Sequence, residues 1–431
     1  MTLLGIAWRS IRQRPLQSAL TALSLALGVA LVVATLVVSG VVQRAFAAGA
    51  GLGYNMIVGA KGSPLQLVLN SVYLISRPVE NLPWTVYEDF LPAAGRRDGT
   101  PGRFAASVRT AIPICMGDYY KGYRVVGTNR AYFERLTAGD GRPFAFAAGE
   151  NFRDDDLYTA VVGAEVAVKL GLAVGAGIAP QHGADPTKIH DPFRITGVLA
   201  RTGTPVDRGV YVNMEGFYLQ DGHAKPAGEG AAADDDAPAP GLLPYAEREV
   251  TAILVETDAP PGLPPELMAM ELAQTLNEGR DAQAAMPVRE IRQLLDLFVR
   301  PLELLLLLVT ALVVVVSAIG ILVSMVGSAL ERSRDVAIMR ALGAGRGTVL
   351  SCVLLEAVLL AGLGGLAGWA LGHGVVAAIA PWVADQAGVT VGFLSGSPAE
   401  ILLVPLLVGL AIAAALIPAL SAYRTDVARW L

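Results

Sequence analysis

The chain has 431 residues, of which 53% are hydrophobic and 16% charged, and its mean hydropathy is +0.51. Soluble domains carry about 25% charged residues, so this deficit points away from a soluble enzyme and toward a membrane protein. A formal net charge of −5 with pI near 5.5 supplies no basic field for nucleic acid, and two cysteines cannot build a disulfide framework.

The apolar residues gather in four stretches nearly free of charge: Leu16–Val42, Leu302–Gly327, Thr348–Ala380 and Ile401–Ala422. A helix needs about 20 apolar residues to cross the hydrocarbon core, and each stretch reaches that length. Small residues within them, such as Gly362, Gly364, Gly365 and Gly368, offer places for helices to approach closely. Ahead of the first stretch, residues 1–15 form a basic, amphipathic start with Arg9, Arg12 and Arg14. Ala45-Phe46-Ala47 would suit a signal peptidase, but the apolar run is nearly twice the usual signal core, so a retained anchor is expected.

The expected plan is therefore a membrane protein with four transmembrane α-helices, one N-terminal (16–42) and three C-terminal (301–327, 348–380, 401–422). A large α+β extracytoplasmic domain, 43–300, lies between helices one and two. The linkers are a cytoplasmic loop at 328–347, an extracytoplasmic loop at 381–400 and a tail at 423–431. Orientation follows from flanking charge. The loop between the second and third helices holds Arg332, Arg334, Arg340 and Arg346 against Glu331 and Asp335, whereas residues 43–300 hold 24 Lys and Arg against 31 Asp and Glu. Both termini and the basic loop are thus expected in the cytoplasm of a multi-pass inner-membrane protein.

Within the large domain, alternation and β-branched runs predict strands at Met56–Ala60, Ser107–Cys115, Tyr123–Thr128, Thr159–Gly163, Phe193–Leu199 and Val250–Glu256. Helical spacing predicts Ala164–Leu170, Pro265–Glu278 and Val288–Arg300, the last running into the second membrane helix with only Pro301 between. Asp221–Gly241, rich in Ala, Pro, Gly and Asp, cannot bury enough apolar area to order its backbone and reads as a disordered surface loop. His223 with Asp234, Asp235 and Asp236 could hold a metal weakly there, but a solvated acidic linker is the plainer reading, since one His and mobile carboxylates lack the spacing of a closed site.

Catalytic motifs are missing. Gly343-Ala344-Gly345-Arg346-Gly347 lacks the Lys-Ser/Thr of a phosphate loop, and no HExxH, CxxC or GxSxG occurs. His182, His190, His223 and His373 show no ligand pattern by spacing, and His190-Asp191 reads as a turn pair, so neither a catalytic residue nor a metal site is expected. Cys115 and Cys352 fall on opposite sides of the membrane and should not bond. Glu356, about two turns into the third membrane helix, should face the bundle, because an ionised carboxylate at mid-bilayer costs at least ~2.5 kcal/mol. Structural hydrogen bonding is its plainer role and proton coupling the sharper one.

The loop Glu331-Arg332-Ser333-Arg334-Asp335-Val336-Ala337-Ile338-Met339-Arg340-Ala341-Leu342-Gly343-Ala344 mixes apolar and charged residues at helical spacing, with Gly343 placed as a helix stop. A short amphipathic helix of this kind could serve a cytosolic partner or simply lie in the lipid interface. The run ERSRDVAIMRALGAGRGTVLSCVLLEAVLLAGLGGLAG resembles the signature of the FtsX-like permeases, the membrane subunits of the MacB and LolC/LolE type of ABC transporter. Val161-Val162-Gly163-Ala164-Glu165 through Leu172, Phe193-Arg194-Ile195-Thr196-Gly197-Val198-Leu199 and Ala7-Trp8-Arg9-Ser10-Ile11-Arg12 resemble other parts of that family.

The resemblance implies that Glu331, Arg332, Arg334, Asp335, Ile338, Met339, Arg340, Leu342 and Gly343 dock on a cytosolic ATPase subunit. It also implies a second permease chain, homo- or heterodimeric, with lipid around it and room for a periplasmic partner. No cofactor is expected on this chain; ATP and Mg would belong to the ATPase. The implied function is mechanotransmission that exports or extracts an amphiphilic, peptide or lipoprotein cargo. The alternative is FtsX-like signalling to periplasmic partners without transport, and a third is an anchored binding protein with no ATPase. The Asp-rich stretch is outside the family pattern, and the N-terminal ATPase domain of MacB-type chains has no counterpart here.

Overall fold

The computed structural model describes residues 2–424 apart from 140, 184, 186, 224–241, 332–337, 339, 341–342 and 388–397. It divides into a membrane unit, residues 1–43 and 297–431, and a β-rich unit, residues 44–296.

In the membrane unit, α1 (Leu3–Gln13) is capped by the Thr2 hydroxyl, which accepts from the Gly5 backbone N–H, and α2 (Pro15–Ala50) follows directly. Four helical spans among the described residues are long and apolar enough to cross a bilayer: Pro15–Arg44, Pro287–Gly327, Arg346–Trp382 and Glu400–Leu420. α2 is the spine of this unit. Leu25, Val29, Val33, Val37 and Val41, spaced four apart, form one buried stripe that packs with Ile321, Met325, Ala357, Leu360, Ala361, Ala411 and Ala415. The outward-facing leucines and valines of the later helices, such as Leu304, Leu308 and Leu312, stay exposed in the chain by itself, as lipid-facing residues should.

The β-rich unit is built on a ten-stranded mixed sheet. In chain order its strands are β1 (Met56–Gly59), β3 (Val108–Tyr120), β4 (Tyr123–Thr128), β5 (Phe146–Gly149), β6 (Thr159–Val162), β7 (Gly177–Ile178), β8 (Phe193–Leu199), β9 (Gly209–Asn213), β11 (Ala252–Thr257) and β12 (Gln283–Ala285); β2 (Leu82–Pro83) and β10 (Glu249–Val250) pair separately. The spatial order is β12-β1-β11-β3-β4-β9-β6-β8-β5, with β7 on β8. Among the described strands only β4/β9 and β6/β8 run parallel. The pleat sends alternate residues to opposite cores: Met56 and Val58 to one and Ile57 to the other, Val125 against Val126, and Ala160 and Val162 against Val161.

Helices cover both faces, which is why strands such as β6 and β9 are buried at every position. On one side lie α6 (Ala164–Leu170), α7 (Met214–Tyr218) and α8 (Pro265–Glu278), which contributes Leu272, Ala273 and Leu276. On the other lie α3 (Pro64–Ser71), with Leu67 and Val68, and α5 (Ala131–Arg135), with Tyr132 and Phe133. α4 (Trp84–Glu88) and α9 (Pro287–Leu294) complete the unit.

The structure moves several expected boundaries. β3 runs on to Tyr120, because a register shift between Met116 and Tyr119 lets it resume pairing with β4. The expected strand Val250–Glu256 is two strands in different sheets. From Pro287 helical backbone continues through a π stretch at Leu295–Val299 into α10 (Arg300–Glu331), so Pro301 lies inside a continuous helical run, directly after the π stretch, where it has no N–H to give to the preceding turn. α11 (Arg346–Ala387) carries Pro381 inside it and outlasts its expected end at Ala380; α12 is Leu403–Arg424. Of the residues expected to open a disordered loop, Asp221 and Gly222 form an exposed turn while the His223 side chain packs against the domain; the remainder of that stretch, 224–241, lies outside the described residues.

Candidate functional site

Of the expected ATPase-docking residues, Arg332, Arg334, Asp335, Met339 and Leu342 lie outside the described residues, and Glu331 is the last residue of α10. Ile338 is exposed and Arg340 half-buried. Gly343 adopts φ +96° and its N–H bonds the Arg340 carbonyl at 3.0 Å, the left-handed stop for which glycine carries least strain. Glu356 is buried on the face of α11 that also buries Ala357, Leu360 and Ala361. His373 and Trp369, on the same helix, both meet Glu400 Oε2, at 3.0 and 3.1 Å.

The densest cluster of chemically capable side chains among the described residues lies elsewhere, in the β-rich unit, and brings together three of the histidines whose spacing along the chain shows no ligand pattern. Among the described residues Asp118, His182, His190 and His223 present donor atoms that all lie within 4.8 Å of one another, a set that could hold a metal ion. His190 faces this cluster rather than pairing with Asp191. Asp234–Asp236, the carboxylates first considered for His223, lie outside the described residues.

Three local devices converge there. Gly117 and Asp118 occupy the irregularity between Met116 and Tyr119, and a strand interruption of this kind re-aims a side chain away from the ladder. The described residues between Pro180 and His190 form a small hairpin against this point. Gln181 exchanges backbone bonds with Tyr119 at 3.0 and 2.7 Å, His182 N–H reaches the Lys188 carbonyl at 2.9 Å, and His190 N–H reaches the Pro180 carbonyl at 2.9 Å. Gly183 permits the approach, since a Cβ there would stand 1.8 Å from the Gly117 carbonyl oxygen. The third device is the turn after α7. His223 N–H bonds the Gln220 carbonyl at 3.2 Å, and the Gln220 side chain brackets Asp191, accepting from its N–H at 2.9 Å and donating to its carbonyl at 3.3 Å.

The resulting contacts are close. His182 Nδ1 and His223 Nε2 stand 3.4 and 3.3 Å from Asp118 Oδ1, and His190 Nε2 stands 3.3 Å from Oδ2. His190 Nε2 and His182 Nδ1 are 3.4 Å apart. Asp118 is 0% exposed, yet neither carboxylate oxygen has a hydrogen bond of acceptable geometry. Burial holds the His190 pKa below the ordinary imidazole value, while Asp118 pulls it the other way. Neutral imidazole is the form that offers a lone pair.

Arg248 makes a bidentate pair with Glu215 of α7, both contacts 2.8 Å, and its guanidinium lies 4.7 Å from the Tyr245 ring centre and 5.4 Å from that of Trp84. Cys115 is buried two positions before the interruption, its thiol donating to the Tyr218 hydroxyl at 3.2 Å. The sequence offered one weak signal for the cluster: three of four histidines fall between positions 182 and 223, two of them bracketing a Gly-Ala-Asp-Pro turn. Asp118 is too far away along the chain to be associated with them.

Comparison with known proteins agrees with this architecture. The MacB-like periplasmic core domain matches residues 18–259, and the FtsX-like permease C-terminal domain matches residues 307–427. An uncharacterized ABC transporter permease, YknZ of Bacillus subtilis (strain 168), is 44% identical over 61 residues, which is 14% of this chain. The aligned part spans 15% of that relative's length. Since the core-domain match alone covers more than half of the chain and the permease match takes in its last three membrane helices, the polypeptide belongs to the FtsX/MacB-type ABC transporter permeases.

Proposed function

We propose that this permease transmits motion for a separate cytosolic ATPase subunit, paired with a second permease chain, and so exports or extracts an amphiphilic, peptide or lipoprotein cargo. In this reading both termini and the 331–346 segment are cytoplasmic, the β-rich unit lies on the other side of the inner membrane, and ATP and Mg are bound by the partner. The observation that carries it is helical continuity: helical conformation runs from Pro287 through the π stretch and Pro301 to Glu331 and ends at the arginine-bearing segment. A rod of that kind, 45 residues at about 1.5 Å rise each, can convey a push at one end to the other. Arg332, Arg334 and Arg340 would meet carboxylates of the ATPase, with Met339 and Leu342 as apolar anchors.

Co-purification tests the docking. The ATPase should accompany the wild-type chain, and Arg340→Glu combined with Leu342→Asp should weaken the association by at least ~100-fold, since a reversed charge and a buried carboxylate each oppose it. Unchanged binding by the double variant would refute the docking surface. Reconstituted proteoliposomes then separate the two family functions: ATP-dependent release of cargo is expected, and ATP turnover without any movement of cargo would replace transport with signalling.

A further inference from the structure

We infer that Asp118, His182, His190 and His223 form a four-ligand site for a divalent transition-metal ion, in first place Zn2+. The inference rests on the spacing of the donors, on their burial and on the state of the carboxylate. Zinc–nitrogen and zinc–oxygen bonds of about 2.0–2.1 Å at tetrahedral angles place neighbouring donor atoms about 3.3–3.4 Å apart. The His182, His190 and His223 nitrogens stand at 3.4, 3.3 and 3.3 Å from Asp118 oxygens, and two of the imidazole nitrogens are 3.4 Å from each other. His182 and His223 stand at these distances from Oδ1 and His190 from Oδ2, and with one donor atom taken from each residue the four lie within 4.8 Å of one another, close enough for a single cation to gather them.

A hydrogen-bond cluster would look different. Three neutral imidazoles could each direct an N–H at the carboxylate, at about 2.7–2.9 Å for a charge-assisted bond. Instead both Asp118 oxygens are enclosed and without an aligned donor. A fully buried carboxylate in that condition calls for a cation, and the imidazole lone pairs supply the other ligands. The site has an outer shell as well: His223 Nδ1 lies 2.8 Å from the Phe217 carbonyl, which selects the tautomer that leaves Nε2 free to ligate. Phe217 also packs against the His223 ring with centroids 4.2 Å apart and the ring planes tilted by 41°, and the Gln220 bracket holds His190 and His223 in register.

The donor set chooses among metals. Calcium and magnesium take oxygen ligands, six or more, and three imidazoles exclude them. Three nitrogens and one oxygen in a closed, three-dimensional arrangement suit Zn2+ better than the square-planar preference of Cu2+. With four protein ligands no position is left open for substrate, so the ion is structural or sensory rather than catalytic. It would staple the 180–190 hairpin and the turn after α7 to the interruption in β3. His182, 24% exposed at its side chain, lies on the route in from solvent. His223 directly precedes the acidic stretch 224–241, so occupancy fixes the point from which that stretch departs.

The test uses the full-length chain in detergent, without a polyhistidine tag. After loading with Zn2+ and dialysis, elemental analysis should find about one zinc per chain. Co2+ in its place should give the intense visible absorption of tetrahedral coordination, and Zn2+ should raise the unfolding midpoint of the wild type, readouts that require no variant to fold. In competition with a chromophoric chelator, His190→Ala and His223→Ala should each lose at least ~100-fold in zinc affinity. Replacement of Asp234, Asp235 and Asp236 by Asn should leave it unchanged. The inference is overturned if the wild type retains no zinc, if Co2+ gives only the weak spectrum of octahedral binding, or if affinity follows the Asp-rich stretch rather than the histidines.

Discussion

Cys115 shows how burial silences a reactive group. Its thiol is enclosed by the β3 core and donates to Tyr218, and burial pushes its pKa from 9.0 to about 12. The thiolate is the nucleophile, so alkylation at pH 8 should be at least ~100-fold slower in the folded chain than in denaturant. Mass spectrometry of the Cys115 peptide over a time course checks this, and equal rates would mean that the β3 core opens freely. Nothing in the sequence around position 115 announces that behaviour, because it depends on Tyr218 and on strands remote along the chain. The same holds for Asp118: its surroundings in sequence are Gly, Tyr and Met, and its histidines arrive through a hairpin and a helix turn. Glu215 and Arg248 are likewise ordinary charged residues in one dimension and a buried bidentate pair in three.

At the scale of elements, contact between α2 and α11 is governed by glycine. Gly364, Gly368 and Gly372 repeat every four residues on one face of α11, and a Cβ at each would stand 2.8, 2.4 and 2.8 Å from its nearest atom on α2, namely the Ala22 and Ala26 carbonyl oxygens and Val33 Cβ. Without side chains in the way the two backbones approach closely, which substitutes for the hydrophobic drive that lipid removes. Gly368→Val should separate the helices and lower stability by about 1–3 kcal/mol, seen as a lower unfolding midpoint in detergent. Gly374→Ala, where the added carbon meets nothing within 4 Å, should leave the midpoint unchanged or raise it. A Gly368→Val chain as stable as the wild type would show that α2 and α11 do not meet at this face. Composition made Gly364 and Gly368 visible as candidates beforehand, and long periodic helices such as Pro265–Glu278 were readable to the residue. Short helices such as α5 and α7 are five residues each, too brief for a 3.6-residue period to register. β9, buried at every position between β4 and β6, lacks the alternation that reveals a half-exposed strand.

The whole molecule is a sheet-based domain inserted between the first and second of four spans, and that plan was legible because apolar stretches of membrane length are few and unmistakable. Sidedness has a different physical origin, the retention of Arg and Lys on the cytoplasmic side during insertion, and it yields its own prediction. Val168 on α6 is 82% exposed in the β-rich unit, and Ile338 is 43% exposed between α10 and α11. With Cys352 replaced by Ala and Cys115 shielded by burial, Val168→Cys and Ile338→Cys each become the accessible thiol of the chain. A charged maleimide that cannot cross the inner membrane should label Val168→Cys in cells whose outer barrier alone is opened, and Ile338→Cys only after the inner membrane is disrupted. Labelling of both positions from one side would place the arginine-bearing segment beside the sheet domain. An ATPase in the cytosol could then not reach that segment while the domain faced the opposite compartment, and the helical rod between them would connect nothing across the bilayer.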